Sequence, residues 1–277
     1  MIKPKVSILI PVYNRVDMIK DCVDSALSQD YPNIEVIISD NCSTDGTWEL
    51  CCRLYTDHPK VNLFRSISNL GPVPNWLAAA RAASGLYAKI LFSDDLLLEG
   101  CIRNLVAQLD SDTGFAYSVA LIGPSLEASK TAYADRGLPK GFIRHAISSR
   151  GLMSYALFAG SRVPVSPGAA LFRTCDVISS LSRSIENPTS LESLNTGAGP
   201  DVSIFLDALL AYRYYVQINE PLCFFRAHGG SFTIGPQRES VRKGYHSSLK
   251  KFFTGKLYVY RIFYELARLR RFFLSFL

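Results

Sequence analysis

Four short apolar runs, each separated from the next by a polar turn and a stretch of helical periodicity, dominate the first hundred residues. Val6–Val12, Ile34–Ile38, Val61–Phe64 and Tyr87–Phe92 are β-branched or apolar and of strand length. After Tyr13-Asn14-Arg15, Asp17 stands at the cap position of a helix running to about Ser28, with Ile19, Val23, Ala26 and Leu27 inward. Tyr31-Pro32-Asn33 breaks that helix, Thr47 to Tyr55 predicts a second, and Asn75 opens an alanine-rich third that Gly85 ends. Alternation of this kind with short connections predicts an α/β fold with a mostly parallel central sheet and helices on both faces. Ligands on such sheets bind beyond the carboxyl ends of the strands. Tyr13, Asp40, Asn69 and Asp94 each follow a strand, so they are expected to converge on one crevice.

The sharpest chemistry lies at Leu91-Phe92-Ser93-Asp94-Asp95. Two adjacent carboxylates at the end of a buried strand are costly unless a cation meets them. A divalent metal does so well, because hard cations prefer oxygen ligands. By themselves these residues equally fit a strand-end turn with two solvated aspartates. Neither GxGxxG nor GxxxxGK[ST] occurs, which argues against a dinucleotide cofactor and a P-loop phosphate site. A phosphorylated ligand in the crevice would be repelled by the carboxylates unless a bridging divalent cation coordinated both.

With 277 residues, 48% of them hydrophobic, the chain can bury a sizeable core. No apolar run approaches the ~18 residues of a membrane span, and the short strand after Met1-Ile2-Lys3-Pro4-Lys5 predicts no secretory leader. Seven scattered cysteines with no CxxC pair predict reduced thiols in a cytosolic protein and no zinc site. The net charge of +6 is unevenly spread. From Arg226 onward there are eleven Lys/Arg against two Asp/Glu, a net +9, while the first 225 residues carry nineteen against twenty-two, a net −3. A basic tail of this kind predicts a local anionic partner.

Four segments together resemble the family 2 glycosyltransferases: Pro11-Val12-Tyr13-Asn14, Ser39-Asp40-Asn41-Cys42-Ser43-Thr44-Asp45-Gly46-Thr47, Asn69-x-Gly71-x-x-x-Asn75 and Ser93-Asp94-Asp95. The resemblance implies a GT-A fold, with a Rossmann-like nucleotide-binding half and a mixed acceptor half. It also implies an inverting transfer from a nucleotide-diphosphate sugar, UDP-linked in type, with Mg²⁺ or Mn²⁺ as cofactor. Pro11, Tyr13 and Asp40 would border the base, Asp40 by accepting from a ring N–H, with Asn14, Asn69, Asn75 and Ser93 nearby in the nucleotide-sugar site. Asp94 would ligate the metal with Asp95 in support. Two positions depart from the family pattern: Asn41 replaces a frequent second aspartate, and Phe92 replaces the first carboxylate of the metal motif. Asp94 is then the only direct carboxylate ligand, which implies weak metal binding.

Further along, Phe115 to Ile122 predicts a strand, residues 128–160 are too mixed to place, and Gly168-Ala169-Ala170-Leu171-Phe172-Arg173 resembles the strand on which the family positions its acceptor. Gly199-Pro200-Asp201-Val202 precedes a helix with Ile204, Phe205, Ala208 and Leu209 on one face. Asp201 alone fits a helix N-cap. The resemblance implies instead the catalytic base, which takes the acceptor hydroxyl proton as that oxygen attacks the anomeric carbon. Glu220 to His228 resembles the strand and Arg-x-His segment that follow, and His228 would complete the metal shell or touch a phosphate; a packed or surface histidine fits as well.

The tail from Lys256 is expected to be helical, with Val259, Ile262, Phe263, Leu266, Leu269, Phe273 and Leu277 on one face and Arg261, Arg268 and Arg271 on the other. It fits either docking on the domain or lying on an anionic membrane surface. The expected organisation is a nucleotide-sugar half at 1–110, an acceptor half at 111–235 and a basic amphipathic helical tail at 236–277. Expected partners are the donor, a glycan or polyprenyl-diphosphate-linked acceptor and that membrane surface, which would place the protein in the cytoplasm at the inner membrane face. No nucleic acid is expected. A sugar nucleotidylyltransferase would want a Gly- and Arg-rich loop where Pro11-Val12-Tyr13-Asn14 stands. A nucleic-acid-binding role for the tail leaves Asp40, Asp94 and Asp201 unexplained.

Overall fold

The computed structural model describes residues 3–132, 142–146, 166–231 and 238–255. Its first half runs β1 (Val6–Val12), α1 (Ile19–Leu27), β2 (Ile34–Asp40), α2 (Thr47–Tyr55), β3 (Val61–Arg65), α3 (Pro72–Arg81) and β4 (Tyr87–Ile90). β1 is parallel to β2 on one side and to β4 on the other, and β3 extends β2 in the same sense. All seven residues of β1 are buried. The reason is the two-residue period of a strand. Ile8, Ile10 and Val12 pack under α1 and α2, while Leu9 points to the opposite face and packs with α3. Two helix starts differ from expectation. α1 begins after Met18 with no side-chain cap, so Asp17 is not the cap. α3 begins at Pro72, three residues before Asn75, because proline's fixed φ and missing N–H suit a first helical turn.

The second half continues with β5 (Leu96–Leu97), α4 (Cys101–Val106), β6 (Thr113–Gly123), β7 (Lys130–Ala132) and β8 (Phe142–Ala146). After a 3₁₀ turn at Pro167–Ala169 come β9 (Ala170–Arg173), α5 (Thr174–Glu186), α6 (Leu191–Thr196), α7 (Pro200–Ala211), β10 (Tyr214–Arg226) and α8 (Arg238–Gly255). The strands join one sheet in the order β3-β2-β1-β4-β9-β6-β10-β5, with β7 beside β6 and β8 beside β10. β9 is antiparallel to both β4 and β6, so the sheet turns from parallel to mixed at β4.

That seam is held from inside. Lys89 on β4 is wholly buried, its Nζ donates to the Gly168 carbonyl just ahead of β9, and it lies 3.6 Å from Cys223 Sγ on β10. A neighbouring hydrogen bond from Cys101, helped by the Lys89 charge, brings the Cys223 thiol down to about 6. On the α3 face, the Phe115 ring meets Phe172 at 5.6 Å, Phe205 edge-on at 5.1 Å and Tyr215 stacked at 5.3 Å. No helix among the described residues is long and apolar enough to cross a membrane. The expected tail helix from Lys256 lies outside the described residues.

Candidate active site

The ends of β1 and β2 are laced together by their turns. Asn14 sits at φ +50, donates its backbone N–H to Ser43 Oγ at 2.9 Å and accepts the Thr44 N–H at 2.8 Å on its side chain. An asparagine tolerates that left-handed backbone better than most residues. The Arg15 N–H is held by Thr47 Oγ1 at 2.8 Å and the Val16 N–H by Asp45 Oδ2 at 3.1 Å. Pro11 lies within β1, and Tyr13, just past its end, is 40% exposed at the rim.

Asp40 is the last residue of β2, in register with Val12 on one side and Arg65 on the other. It is fully buried. Oδ1 accepts the Ser43 N–H at 3.0 Å and lies 3.3 Å from Arg65 Nε. Arg65 is itself braced by the Ser43 carbonyl and the Trp48 ring. Oδ2 is buried with no hydrogen-bond partner among the described residues. An acceptor left in that state costs ~1–3 kcal/mol, and no described residue supplies the donor that would offset it.

The asparagines expected at the nucleotide site have partners within the chain. Both ends of the Asn75 amide are committed to Ser39, its Oδ1 accepting from Oγ at 2.6 Å and its Nδ2 donating to the carbonyl at 3.0 Å. Asn69 Oδ1 accepts from Asn41 Nδ2 at 2.9 Å and from the Gly71 N–H at 2.9 Å. Asn41 also donates to the Gly71 carbonyl and accepts the Leu70 N–H. The amide that replaces the family's second aspartate is thus the clasp of the 69–71 loop, a task that needs a donor and an acceptor on one side chain.

Beyond β4, Ser93 and Asp95 are buried and Asp94 is partly exposed. Asp95 Oδ1 accepts the Arg226 N–H at 3.0 Å, which ties the turn to the end of β10. Burial, and then the neighbouring Asp94 charge, push the Asp95 carboxyl well above the ordinary range. Asp94 Oδ2 lies 2.9 Å from His228 Nε2 and 3.9 Å from Arg15 Nε. His228 Nδ1 accepts the Gly230 N–H at 3.2 Å, so in a neutral ring Nε2 carries the proton and donates to Asp94. Phe92, at the position of the missing carboxylate, packs 5.3 Å from the Trp76 ring.

Among the described residues no group of three or more His, Cys, Asp or Glu is placed to hold a metal. The donor set suits a weakly held ion: Asp94 supplies an oxygen, and His228 could add a nitrogen only on giving up the Gly230 bond.

Asp201 is the second residue of α7, whose cap is Gly199. None of the groups above is among its hydrogen-bond partners. Ahead of it, Gly197, with a φ of +75, lets the backbone pass so close to Trp76, the ring that packs on Phe92, that a Cβ would fall 2.2 Å from the indole. Oδ1 accepts the Gly199 and Val202 N–H groups, both at 2.7 Å, and Oδ2 accepts the Tyr245 hydroxyl at 2.7 Å. Burial raises the carboxyl from 3.8 to about 7 in spite of those three donors. A cap needs no such value; a base working near neutrality does. Arg15, Arg65 and Tyr245 were not among the residues expected from sequence. Arg65 is found through strand register, and Tyr245 lies 44 residues from the carboxylate it contacts.

The sequence profile of Glycosyl transferase family 2 matches residues 7–153, just over half of the chain. A Campylobacter jejuni GalNAc(5)-diNAcBac-PP-undecaprenol beta-1,3-glucosyltransferase is 28% identical over 138 residues, 50% of this chain and 44% of that enzyme. For two other relatives the matched stretch is only 11% of their length, so the chain spans less than half of these curated relatives. Staphylococcus aureus TarS 1-349 in complex with UDP-GlcNAc aligns with a TM-score of 0.60 at 17% identity, over 91% of this chain and 73% of that one. The mannosyltransferase PcManGT of Pyrobaculum calidifontis, in complex with GDP-Man and Mn²⁺, aligns at 0.55 and 19% identity, over 96% and 74%. At such identities the likeness is one of fold, and the fold is GT-A.

Proposed function

The chain belongs to glycosyl transferase family 2, and on that premise we propose that it moves a sugar from a UDP-sugar to a hydroxyl of a glycan or lipid-linked acceptor, with inversion, in one displacement. The observation that carries the reading is Asp40 Oδ2, a buried carboxylate oxygen with no donor among the described residues, at the carboxyl end of a parallel strand. A uracil ring N–H supplies the missing donor, and Tyr13 at the rim offers a ring face to the base. Arg65 and the Ser43 N–H hold Oδ1, which leaves Oδ2 as the uncommitted oxygen of the pair.

Asp94 would hold the metal, Mn²⁺ or Mg²⁺, with Asp95 anchoring the turn through Arg226. What a divalent ion would supply there is neutralisation of the leaving diphosphate. Asp201 takes the proton of the acceptor hydroxyl. With its carboxyl at about 7, roughly half of it is ionised at neutral pH, the condition in which a general base is both available and basic. Tyr245 and the two backbone donors orient the group, and Oδ2 keeps a lone pair for the acceptor. A single base fits one displacement with inversion, since no second carboxylate nucleophile is required.

The basic segment after Phe225 includes Arg242, Lys243, Lys250 and Lys251, all exposed on α8. This charge supports peripheral attachment to an anionic membrane, where an undecaprenol-linked acceptor such as the one in the Campylobacter relative's name would reside. The test is a panel of nucleotide sugars assayed for hydrolysis and transfer, with and without Mn²⁺, followed by NMR of the product anomer. A UDP-sugar is expected to turn over to an inverted product. Turnover of none, or a retained anomer, contradicts the reading.

A further inference from the structure

The proposed donor brings a diphosphate beside Asp94, where the metal would have a single carboxylate ligand. His228 and Arg15 lie beside that carboxylate, and Arg226 is tied to the neighbouring Asp95. Arg226 is drawn toward Asp21, with Nη2 3.4 Å from Oδ2, and its backbone N–H is spent on Asp95. His228 donates to Asp94 itself. Arg15 stands within 4 Å of Asp94 and, among the described residues, has donors to spare. Its Nη1 gives one bond to the Asn14 carbonyl at 2.9 Å, and Nε stands 3.9 Å from Asp94 Oδ2, too far for a hydrogen bond. The side chain is only 23% exposed. A guanidinium carries five N–H donors in a rigid fork, so most of this one's capacity is unspent on the described residues, in a largely desolvated place.

Its base is also firmly anchored. The Arg15 N–H is fixed by Thr47, its carbonyl accepts the first N–H groups of α1 from Met18 and Ile19, and Asn14 is pinned to Ser43 and Thr44. Ser43 in turn donates to Asp40. One turn of chain therefore connects the orphaned oxygen proposed to hold the base with the underused guanidinium, and the diphosphate of a nucleoside diphosphate lies next along the ligand. We propose that Arg15 binds the donor diphosphate directly, offering its free fork to the phosphate oxygens and offsetting the Asp94 charge, so that part of the diphosphate's affinity needs no metal. The assignment rests on the UDP-sugar reading above and adds a residue to it.

Calorimetry in EDTA separates the two. The native chain and the Arg15→Gln and Arg15→Lys variants are titrated with UDP and with uridine, after thermal melts without ligand show that the variants fold. Native protein is expected to bind UDP in EDTA. Arg15→Gln should lose ~10-fold or more in UDP affinity while holding uridine unchanged, as loss of charge-assisted bonds predicts. Arg15→Lys should recover part of the loss, since it keeps the charge and forfeits the fork. Equal UDP affinity in native and Arg15→Gln protein overturns the assignment and leaves the UDP reading intact. Equal weakening of UDP and uridine also overturns it, by showing that Arg15 only shapes the turn. Failure of the native chain to bind UDP with or without Mn²⁺ overturns the donor reading itself, and Arg15's role with it.

Discussion

Asp201→Asn should stabilise the protein in a pH-dependent way while removing its activity. In the folded chain burial raises the carboxyl from 3.8 to about 7. Between those values the folded state holds a proton that the unfolded chain has released, so the unfolded state binds fewer protons and stability falls as pH rises. Above pH 7 the loss is complete. At ~1.4 kcal/mol per pH unit it amounts to ~4 kcal/mol. Asparagine does not titrate, and its Oδ1 still accepts from Gly199 and Val202. The Tyr245 hydroxyl can reverse and accept from the new amide, because a hydroxyl does both. The difference in unfolding free energy, variant minus native, should therefore grow by ~2–3 kcal/mol between pH 5 and pH 8 and flatten above pH 7. Urea melts at each pH measure it. In the same variant, donor affinity should hold while transfer falls ~100-fold or more. A stability difference that does not change with pH would refute the reasoning, since it would mean that Asp201 ionises in the fold as it does in the open chain.

Gly197→Ala should cost ~2 kcal/mol or more and reduce turnover, because the new Cβ meets Trp76 at 2.2 Å on a backbone of φ +75; an unchanged melting temperature would contradict this. Asn41→Asp should lose ~1–3 kcal/mol by facing two acceptors, Asn69 Oδ1 and the Gly71 carbonyl, with a carboxylate; denaturant melts at pH 7 would show a lower midpoint. The 277-residue chain should float with anionic vesicles at low salt and be released by high salt, and a chain lacking residues 256–277 should not bind. Vesicle binding by the truncated chain would assign the attachment to α8 alone.

The parallel half was legible because its physics is local. β1, β2 and β4 are mostly apolar runs, and that pattern follows from burial on both sheet faces. Asp40 and Asp94 could be placed at strand ends by the same reading. Helix starts were read less well, since Asp17 offered a cap that the fold does not use and Pro72 began a helix earlier than Asn75. Beyond β4 the signal weakens. β9 has four residues and would pair in any sheet, and its antiparallel insertion between β4 and β6 depends on contacts such as Lys89 with Gly168. β10 shifts register against β6 between Ile218 and Cys223, which no period-2 pattern displays. At the site, residue types were readable and partnerships were not. Arg65 reaches Asp40 through a two-strand register, Tyr245 reaches Asp201 from another helix, and Asn41 becomes intelligible only once its loop is folded against it.

The central claim is that the orphaned Asp40 oxygen is a nucleotide-base acceptor at the head of a glycosyltransferase donor site. A crystal structure of the chain with UDP and Mn²⁺ tests it most directly. The account predicts the uracil ring N–H within ~3 Å of Asp40 Oδ2, a hydrogen-bond distance, and the diphosphate beside Asp94 and Arg15. A nucleotide bound elsewhere, with Asp40 Oδ2 still buried and without a donor, would contradict it.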